Sequence, residues 1–190
     1  SSADLPCFID PMCGSGTFLI EAAMMATNTA PGIFRKSYSF KHLKQFRPDE
    51  WRKLLDEAVK QKRPQALYPG RIRGFDIDRE AVSAALINIR NAGFSGLIEV
   101  KRADISDIEK NAGSSPVPGL IAVNLPYGKR LGEDDDLPPL YRLTGEKLKT
   151  FNGWKVITVS GSEELSRELG MKPLQVNTVH NGPIKCVSAL

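Results

Sequence analysis

Short apolar runs alternate with amphipathic stretches along most of the chain, which is typical of a sheet whose strands are connected by helices. The predicted strands are Phe8–Ile9, Arg71–Asp78, Leu97–Lys101, Gly119–Val123 and Trp154–Ser160. The stretches with helical spacing cover 17–28, 79–92 and 140–148. Because most of the strands are separated by helices, we expect an α/β fold built on a mostly parallel sheet.

The last part of the chain has a different pattern. Gln175–His180 and Ile184–Ser188 are strand-like, and the sequence Asn-Gly-Pro at 181–183 between them favours a tight turn. These segments predict an antiparallel hairpin, which brings the expected sheet to seven strands. His180 lies in this hairpin, and we interpret it as a packing residue rather than a catalytic one.

A segment at about 31–70 interrupts the alternation of strands and helices. A helix is predicted within it after Arg47, with Trp51 and Leu55 on one face. Between Arg35 and Arg73 there are twelve Lys and Arg but only four acidic residues, whereas the formal net charge of the whole chain is +4. This basic charge favours RNA as a partner. The aromatic residues of the insert either stack on bases or fix the insert to the core. They are Phe34, Tyr38, Phe40, Phe46, Trp51 and Tyr68.

The length of 190 residues is sufficient for one domain with its own core. No stretch approaches the roughly 20 apolar residues of a membrane helix, and no signal peptide is evident, so we expect a cytoplasmic protein that does not bind a membrane. Three cysteines without a C-x-x-C pair, and only two histidines, predict no metal site. The first strand follows Ser1 almost directly, which favours a fragment of a longer protein.

The first strand ends at Asp10 and is followed by a loop with Gly14 and Gly16, after which a helix begins. Glycines allow a tight turn and a close approach of ligand to backbone, and the helix N-terminus offers unpaired N–H groups. The loop has Leu19 at the third glycine position of dinucleotide-binding loops, and it lacks the Lys-Ser/Thr pair of a P-loop. It resembles the cofactor loop of class I S-adenosylmethionine-dependent methyltransferases. The resemblance implies these cofactor-binding residues: Asp10, Pro11, Met12, Cys13, Gly14, Ser15, Gly16 and Thr17.

Acidic residues also end the next two strands. Asp76 is placed to accept both hydroxyls of a ribose, with Asp78 as a less favoured candidate. Asp104 could accept a hydrogen bond from an adenine amino group, and Ile105 could pack on the ring. Because the carboxyl ends of parallel strands share one edge, the strand-terminal acids predict a nucleoside pocket there. The cofactor-contacting residues predicted on these strands are Asp76, Ile77, Asp104 and Ile105.

The fourth strand leads into the sequence Asn-Leu-Pro-Tyr-Gly at 124–128. It resembles the Asn/Asp-Pro-Pro-Tyr motif of methyltransferases that modify exocyclic amino groups of bases. The resemblance implies that the Asn124 side-chain oxygen and the Leu125 carbonyl accept hydrogen bonds from the amine, while Pro126 stiffens the turn and Tyr127 stacks on the base. Leu125 replaces the commoner proline but supplies the same carbonyl. The predicted catalytic residues are Asn124, Leu125, Pro126 and Tyr127, and Asn124 is also predicted to contact the cofactor.

Several segments together resemble the THUMP-associated RNA guanine-N2 methyltransferases, and most closely the bacterial 23S rRNA enzymes of that family. The segments are 10–17, 21–23, 30–32, 74–78, 124–131 and 181–183. The resemblance implies a class I, Rossmann-like methyltransferase fold over residues 1–190, with a seven-stranded mostly parallel sheet and an antiparallel C-terminal hairpin. It also implies methylation of a guanosine 2-amino group in 23S rRNA, or in a ribosomal assembly intermediate, with S-adenosylhomocysteine as the product. A THUMP domain is expected in the parent protein and is absent from this sequence.

Other functions stay open at this point. A tRNA guanine-N2 methyltransferase has a similar catalytic domain, and an adenine-N6 methyltransferase uses a similar motif after the fourth strand. A non-catalytic RNA-binding module would not need the acids at 10, 76 and 104. A small-molecule amine methyltransferase would leave the basic insert unexplained.

Overall fold

The fold is centred on a seven-stranded sheet with the order β3-β2-β1-β4-β5-β7-β6. The computed structural model describes residues 7–33, 35, 37–64, 71–112, 118–127, 137–161, 163–181 and 184–189. The strands are β1 (Phe8–Asp10), β2 (Ile72–Asp76), β3 (Ile98–Arg102), β4 (Leu120–Asn124), β5 (Lys155–Ser160), β6 (Val176–Asn181) and β7 (Ile184–Ala189). β1 to β5 pair in parallel, and β7 pairs antiparallel with both β5 and β6. The predicted parallel sheet and its antiparallel C-terminal pair are therefore confirmed.

The helices are α1 (Thr17–Ala26), α2 (Pro48–Lys60), α3 (Arg79–Asn91), α4 (Ile108–Ala112), α5 (Leu137–Leu148) and α6 (Glu163–Glu168). Short 3₁₀ helices lie at Ser39–His42 and Ile105–Asp107. The predicted helices 17–28 and 79–92 are close to α1 and α3. α4 and α6 were not predicted, because five or six residues are too few to show a helical period.

The sheet is covered on both faces. Leu19 of α1 and Ile89 of α3 belong to one buried cluster, and Ile108 of α4 and Tyr141 of α5 belong to the other. Adjacent strand residues alternate between these clusters, as the period of two in a strand requires. This packing fixes the carboxyl ends of β1 to β4, where the predicted site residues lie.

α3 contacts the core through a narrow face. Ala85 and Ile89 are buried, but Leu86 is 43% exposed. One helix contacts the sheet through a stripe about 100° wide, and Leu86 lies outside it.

Among the described residues, no helix is both long enough and apolar enough to cross a membrane.

The insert leaves and rejoins the core at one place. The Arg63 backbone N–H donates to the Thr27 carbonyl at 2.7 Å, and the Asn28 side chain donates to the Gln61 carbonyl at 3.0 Å. The prediction of a helix after Arg47 is confirmed by α2, with Asp49 in its first turn and no side chain capping its N-terminus.

Some sequence predictions lie outside the described residues. These concern the aromatic residues Phe34 and Tyr68, the sequence that follows Tyr127 at 128–131, and the turn residues Gly182 and Pro183.

Candidate active site

The glycine loop connects β1 to α1 and lies against the end of β2. Its backbone is held by hydrogen bonds from the Cys13 N–H to the Phe75 carbonyl at 2.8 Å and from the Gly16 N–H to the Cys13 carbonyl at 2.8 Å. Gly14 and Gly16 have φ of 51° and 84°, in the left-handed region that favours glycine. A Cβ on Gly16 would lie 3.3 Å from that of Ala85 on α3, whereas a Cβ on Gly14 would meet no described atom within 4 Å. The loop therefore packs tightly at Gly16 and leaves an open surface at Gly14.

Asp10 is buried at the end of β1, with only 2% of its surface exposed. Its Oδ1 accepts a hydrogen bond from the Met12 N–H at 3.2 Å. Burial raises the pKa of Asp10 to about 8, and the negative charge of nearby Asp76 adds to this effect against the opposing Met12 hydrogen bond. Asp10 consequently retains its proton near neutral pH when no positive charge lies beside it.

Cys13 is a buried structural thiol rather than a nucleophile. Burial raises its pKa above the ordinary value, and the negative charges of Asp10 and Asp76 raise it further. Its side chain belongs to the cluster beneath α1 and α3. Cys13 therefore contributes packing and backbone to the loop.

Asp76 joins the end of β2 to the glycine loop. Its Oδ2 accepts from the Gly14 N–H at 2.8 Å, and its Oδ1 accepts from the Asp78 N–H at 3.0 Å. Asp78 has a different role, because its side chain accepts from the Glu80 N–H at 2.9 Å and caps α3. Of the two candidates for a ribose acceptor, the structure thus places Asp76 on the loop and uses Asp78 as a helix cap.

The residues after β3 occupy the same edge of the sheet. Asp104 accepts from the Ser106 N–H at 2.7 Å, and its hydrogen bonds with Ser106 hold its pKa below the ordinary value. Ile105 is 6% exposed and packs in the core, so little of its side chain is open to a ring. Ile77, after β2, is exposed, and its carbonyl accepts from the Arg102 side chain at 2.8 Å.

Asn124, at the end of β4, carries an unusual atom. Its side-chain oxygen Oδ1 is buried and has no hydrogen-bond partner among the described residues. Most buried polar atoms in proteins are paired, because leaving one unpaired costs about 1–3 kcal/mol. An unpaired acceptor beside the glycine loop is therefore a candidate contact for a ligand that donates a hydrogen bond.

The residues after Asn124 are held rigidly. The Leu125 N–H donates to the Val159 carbonyl at 2.9 Å, and the Pro126 carbonyl accepts from the Tyr141 hydroxyl at 3.0 Å. Tyr127 is only 4% exposed, and a Cβ on Gly161 would lie 2.6 Å from the Tyr127 Cβ. The turn therefore packs against the end of β5. Base stacking on Tyr127 stays a prediction, and it requires the ring to turn out of this packing.

The predicted residues meet at the carboxyl edge of β1 to β4. β1 lies between β2 and β4, so the glycine loop separates the acids on the β2 and β3 side from Asn124 on the β4 side. Chain connections depart in opposite directions from β1 and β4, which is where α/β folds bind ligands.

Three supporting residues were not predicted from sequence: Gly74, Tyr141 and Gly161. Their patterns do not differ from those of ordinary core or turn residues.

Comparison with known proteins agrees with this geometry. The family model described as the RMKL-like methyltransferase domain, UPF0020, matches residues 4–189. The chain belongs to this family. The family resemblance predicted from the sequence is thereby confirmed.

Two curated relatives of this RMKL-like domain are named ribosomal RNA large subunit methyltransferase K/L. The protein from Allochromatium vinosum is 38% identical over 179 residues, and the one from Methylococcus capsulatus is 41% identical over 179 residues. Each alignment covers 94% of this chain and 24% of the relative. The chain thus spans about a quarter of the length of these curated relatives.

Solved structures show the same fold as this RMKL-like domain. The structure of SMU.472, complexed with SAH, matches with a TM-score of 0.83 and 29% identity over 98% of this chain and 48% of its own. A predicted N6-adenine-specific DNA methylase from Listeria monocytogenes matches with a TM-score of 0.80 and 28% identity over 99% of this chain and 47% of its own. The expected methyltransferase fold is therefore confirmed.

Proposed function

We propose that this chain methylates the exocyclic 2-amino group of a guanosine in 23S rRNA, giving N2-methylguanosine. The observation that carries the proposal is the buried, unpaired Oδ1 of Asn124 beside the glycine loop. An amino group of a base is a donor that would pair this atom. The names of the curated relatives support rRNA as the class of substrate.

S-adenosylmethionine is the methyl donor in this proposal, as the SAH complex of SMU.472 supports. The open backbone at Gly14 allows a ligand to approach the loop closely. Each carboxylate oxygen of Asp76 accepts one hydrogen bond from the protein backbone, so each can also accept one from a ribose hydroxyl. Asp10 would stabilise a nearby positive charge once ionised. When bound, S-adenosylmethionine supplies the methyl group.

The chain's own residues prepare the amine for attack. Asn124 Oδ1 and the Leu125 carbonyl would accept hydrogen bonds from the two amine hydrogens, which directs the nitrogen lone pair away from the base plane. The Leu125 N–H and the Pro126 carbonyl are both fixed by neighbours, so the acceptors need little rearrangement. The arrangement requires no separate base, because the amine becomes acidic as the methyl group is transferred.

An adenine-N6 methyltransferase is the second candidate. The name of the Listeria monocytogenes neighbour favours it, because that protein is 28% identical and shares the fold. The 6-amino group of adenine would pair with the same oxygen of Asn124. A tRNA guanine-N2 methyltransferase also fits these residues, so the product and the RNA pool must both be identified.

The test is the transfer of tritiated methyl from S-adenosylmethionine to RNA of cells that lack the enzyme. Ribosomal RNA and tRNA are assayed separately and digested to nucleosides. Asn124→Ala is the test variant, and Asn152→Ala is the control, because Asn152 is exposed and lies between α5 and β5 at the opposite edge of the sheet. Binding of S-adenosylmethionine is measured for all three proteins.

Labelled N2-methylguanosine in rRNA, lost in Asn124→Ala and kept in Asn152→Ala, is the expected result. Label in N6-methyladenosine would establish the second candidate instead, and label confined to tRNA would exclude rRNA. Equal activity of Asn124→Ala and the unmodified chain would contradict the role of Asn124.

A further inference from the structure

The basic charge of the insert is concentrated before α2. The segment 35–47 contains five Lys and Arg and no acidic residue. α2 contains three Lys and Arg and four acidic residues, so it carries a slight negative charge. The excess of positive charge in this part of the insert therefore comes from the segment 35–47 and not from α2.

Aromatic rings connect this segment to α2. Ring centroids of Tyr38 and Phe40 lie 5.2 Å and 5.1 Å from that of Trp51, and Phe46 lies 5.9 Å from Phe40. These are ordinary distances for edge-to-face and tilted contacts. The sequence left open whether these aromatics stack on bases or fix the insert to the core, and the structure shows them packed on one another. α2 has no fully buried residue, so the cluster is a small unit at the surface.

Cations lie over the rings of the cluster. Lys41 Nζ is 5.5 Å from the Tyr38 centroid and 5.8 Å from that of Trp51, and the Arg35 guanidinium carbon is 5.7 Å from the Tyr38 centroid. Cation–π contacts at such distances hold positive charge beside an aromatic face. The cluster therefore offers positive charge and ring surface together.

Part of the aromatic and aliphatic surface is open. A shallow cavity of about 330 Å³ lies beside the cluster. Phe40 is 38% exposed, and the flanking Leu43 and Leu54 are 59% and 57% exposed. The described residues that line the cavity are Phe40, Leu43, Gln45, Phe46, Arg47, Glu50, Trp51 and Leu54. We call residues 35 and 37–47, together with Trp51 and Leu54, the insert surface.

The insert surface is attached at the edge of the sheet opposite to the catalytic one. α1 begins at the glycine loop on the carboxyl edge, and its ten residues cover about 15 Å toward the other edge. The insert follows the end of α1 and is tied to Thr27 and Asn28 there. A contact between the substrate and this surface would thus change how tightly the substrate binds rather than the rate of the chemical step.

We infer that the insert surface docks unpaired RNA away from the target base, with phosphates on Arg35 and Lys44 and a base stacked on Phe40. Charge complementarity favours a polyanion over a protein, because the segment 35–47 lacks acidic residues. A partly exposed aromatic ring near cations suits single-stranded nucleic acid, since stacking accepts any base, and Phe40 is 38% exposed. The choice of RNA rests on the proposed function.

The test is equilibrium binding of a short fluorescein-labelled single-stranded RNA, followed by anisotropy between about 50 and 200 mM salt. The test variant is Arg35→Ala with Lys44→Ala. The control is Arg52→Ala with Lys53→Ala, which removes the same two residue types from the exposed side of α2. Each lost phosphate contact should lower the slope of log affinity against log salt by about 0.7. We therefore expect the test pair to reduce the slope by about 1.4 and the control pair to leave it unchanged.

Stacking is tested with Phe40→Ala. We expect a loss of affinity of roughly fivefold or more, since a stacked base contributes about 1–3 kcal/mol. Leu174→Ala is the control, because Leu174 is 91% exposed just before β6 and its truncation removes apolar surface outside the insert. Circular dichroism checks that all variants keep their helices.

The outcomes separate this inference from the proposed function. Binding is measured without S-adenosylmethionine, so it does not depend on which base is methylated. A selective effect of the test pair and of Phe40→Ala supports the inference even if the methylated nucleoside is not N2-methylguanosine. Equal effects of the test and control pairs, or no RNA binding by the unmodified chain, would overturn it.

Discussion

The raised pKa of Asp10 makes the stability of the ligand-free chain depend on pH. Folding moves this carboxyl from an ordinary pKa of 3.8 to about 8. Below pH 3.8 both the folded and the unfolded chain hold the proton, and the stability is highest with respect to this group. Between the two values unfolding releases a proton, so the stability falls as pH rises, and the fall ends near pH 8.

The expected magnitude is large. Each pH unit inside this window lowers the free energy of unfolding by about 1.4 kcal/mol, and the whole window corresponds to about 6 kcal/mol. Asp10→Asn removes the titration but keeps an oxygen that can accept from the Met12 N–H. The variant should therefore lose this part of the pH dependence, because its side chain is neutral throughout.

Urea unfolding at about pH 5.5, 6.5 and 7.5 measures the effect. With a slope of about 1–3 kcal/mol per M, the midpoint of the unmodified chain should fall by roughly 0.5 to 1.4 M per pH unit relative to Asp10→Asn. Asp104→Asn is a control, because the lowered pKa of Asp104 confines its contribution to more acidic conditions. Parallel pH dependences of the unmodified chain and Asp10→Asn would refute the reasoning.

Three further predictions concern supporting residues. Tyr141→Phe leaves the Pro126 carbonyl without its donor, so the free energy of unfolding in urea should fall by about 1–3 kcal/mol. We also expect slower methyl transfer with unchanged affinity for S-adenosylmethionine, and unchanged turnover would contradict this. Gly161→Ala places a Cβ 2.6 Å from that of Tyr127, so turnover should fall while cofactor affinity, measured by calorimetry, is kept; a parallel loss of both would point to misfolding instead. Gly74→Ala places a Cβ 2.3 Å from Leu19 Cδ1, and this overpacking should lower the free energy of unfolding in urea by about 1–3 kcal/mol. In a chain that already carries Leu19→Ala, the Gly74 change should lower it less. If the effects of the two changes simply add, the predicted clash is contradicted.

The sequence predicts the arrangement of the site because its elements are local in the chain. Asp10, Asp76 and Asp104 each follow a strand, and the parallel order of the strands brings them to one edge. The glycine loop and the sequence after β4 are also continuous stretches. Patterns of this kind can be recognised in a sequence without knowledge of tertiary contacts.

Contacts between distant residues could not be predicted in this way. The bond from Tyr141 to Pro126 joins α5 to the turn after β4, and Tyr141 has the pattern of an ordinary core residue. The role of the insert's aromatic residues stayed open for the same reason, because spacing does not reveal which residues Trp51 contacts, and the contact with Tyr38 is seen only in the structure. The burial of Tyr127 depends on the absence of a side chain at Gly161, which lies on another strand connection.

The position of β1 in the sheet has a consequence for synthesis on the ribosome. Phe8 is paired with Ile72 on one side and with Leu120 on the other. β1, which carries the glycine loop, is made before the other strands of the sheet, but it cannot gain its second neighbour until β4 has left the ribosome. The binding loop that follows β1 therefore gains its complete surroundings only after β2, β3 and β4 have been made.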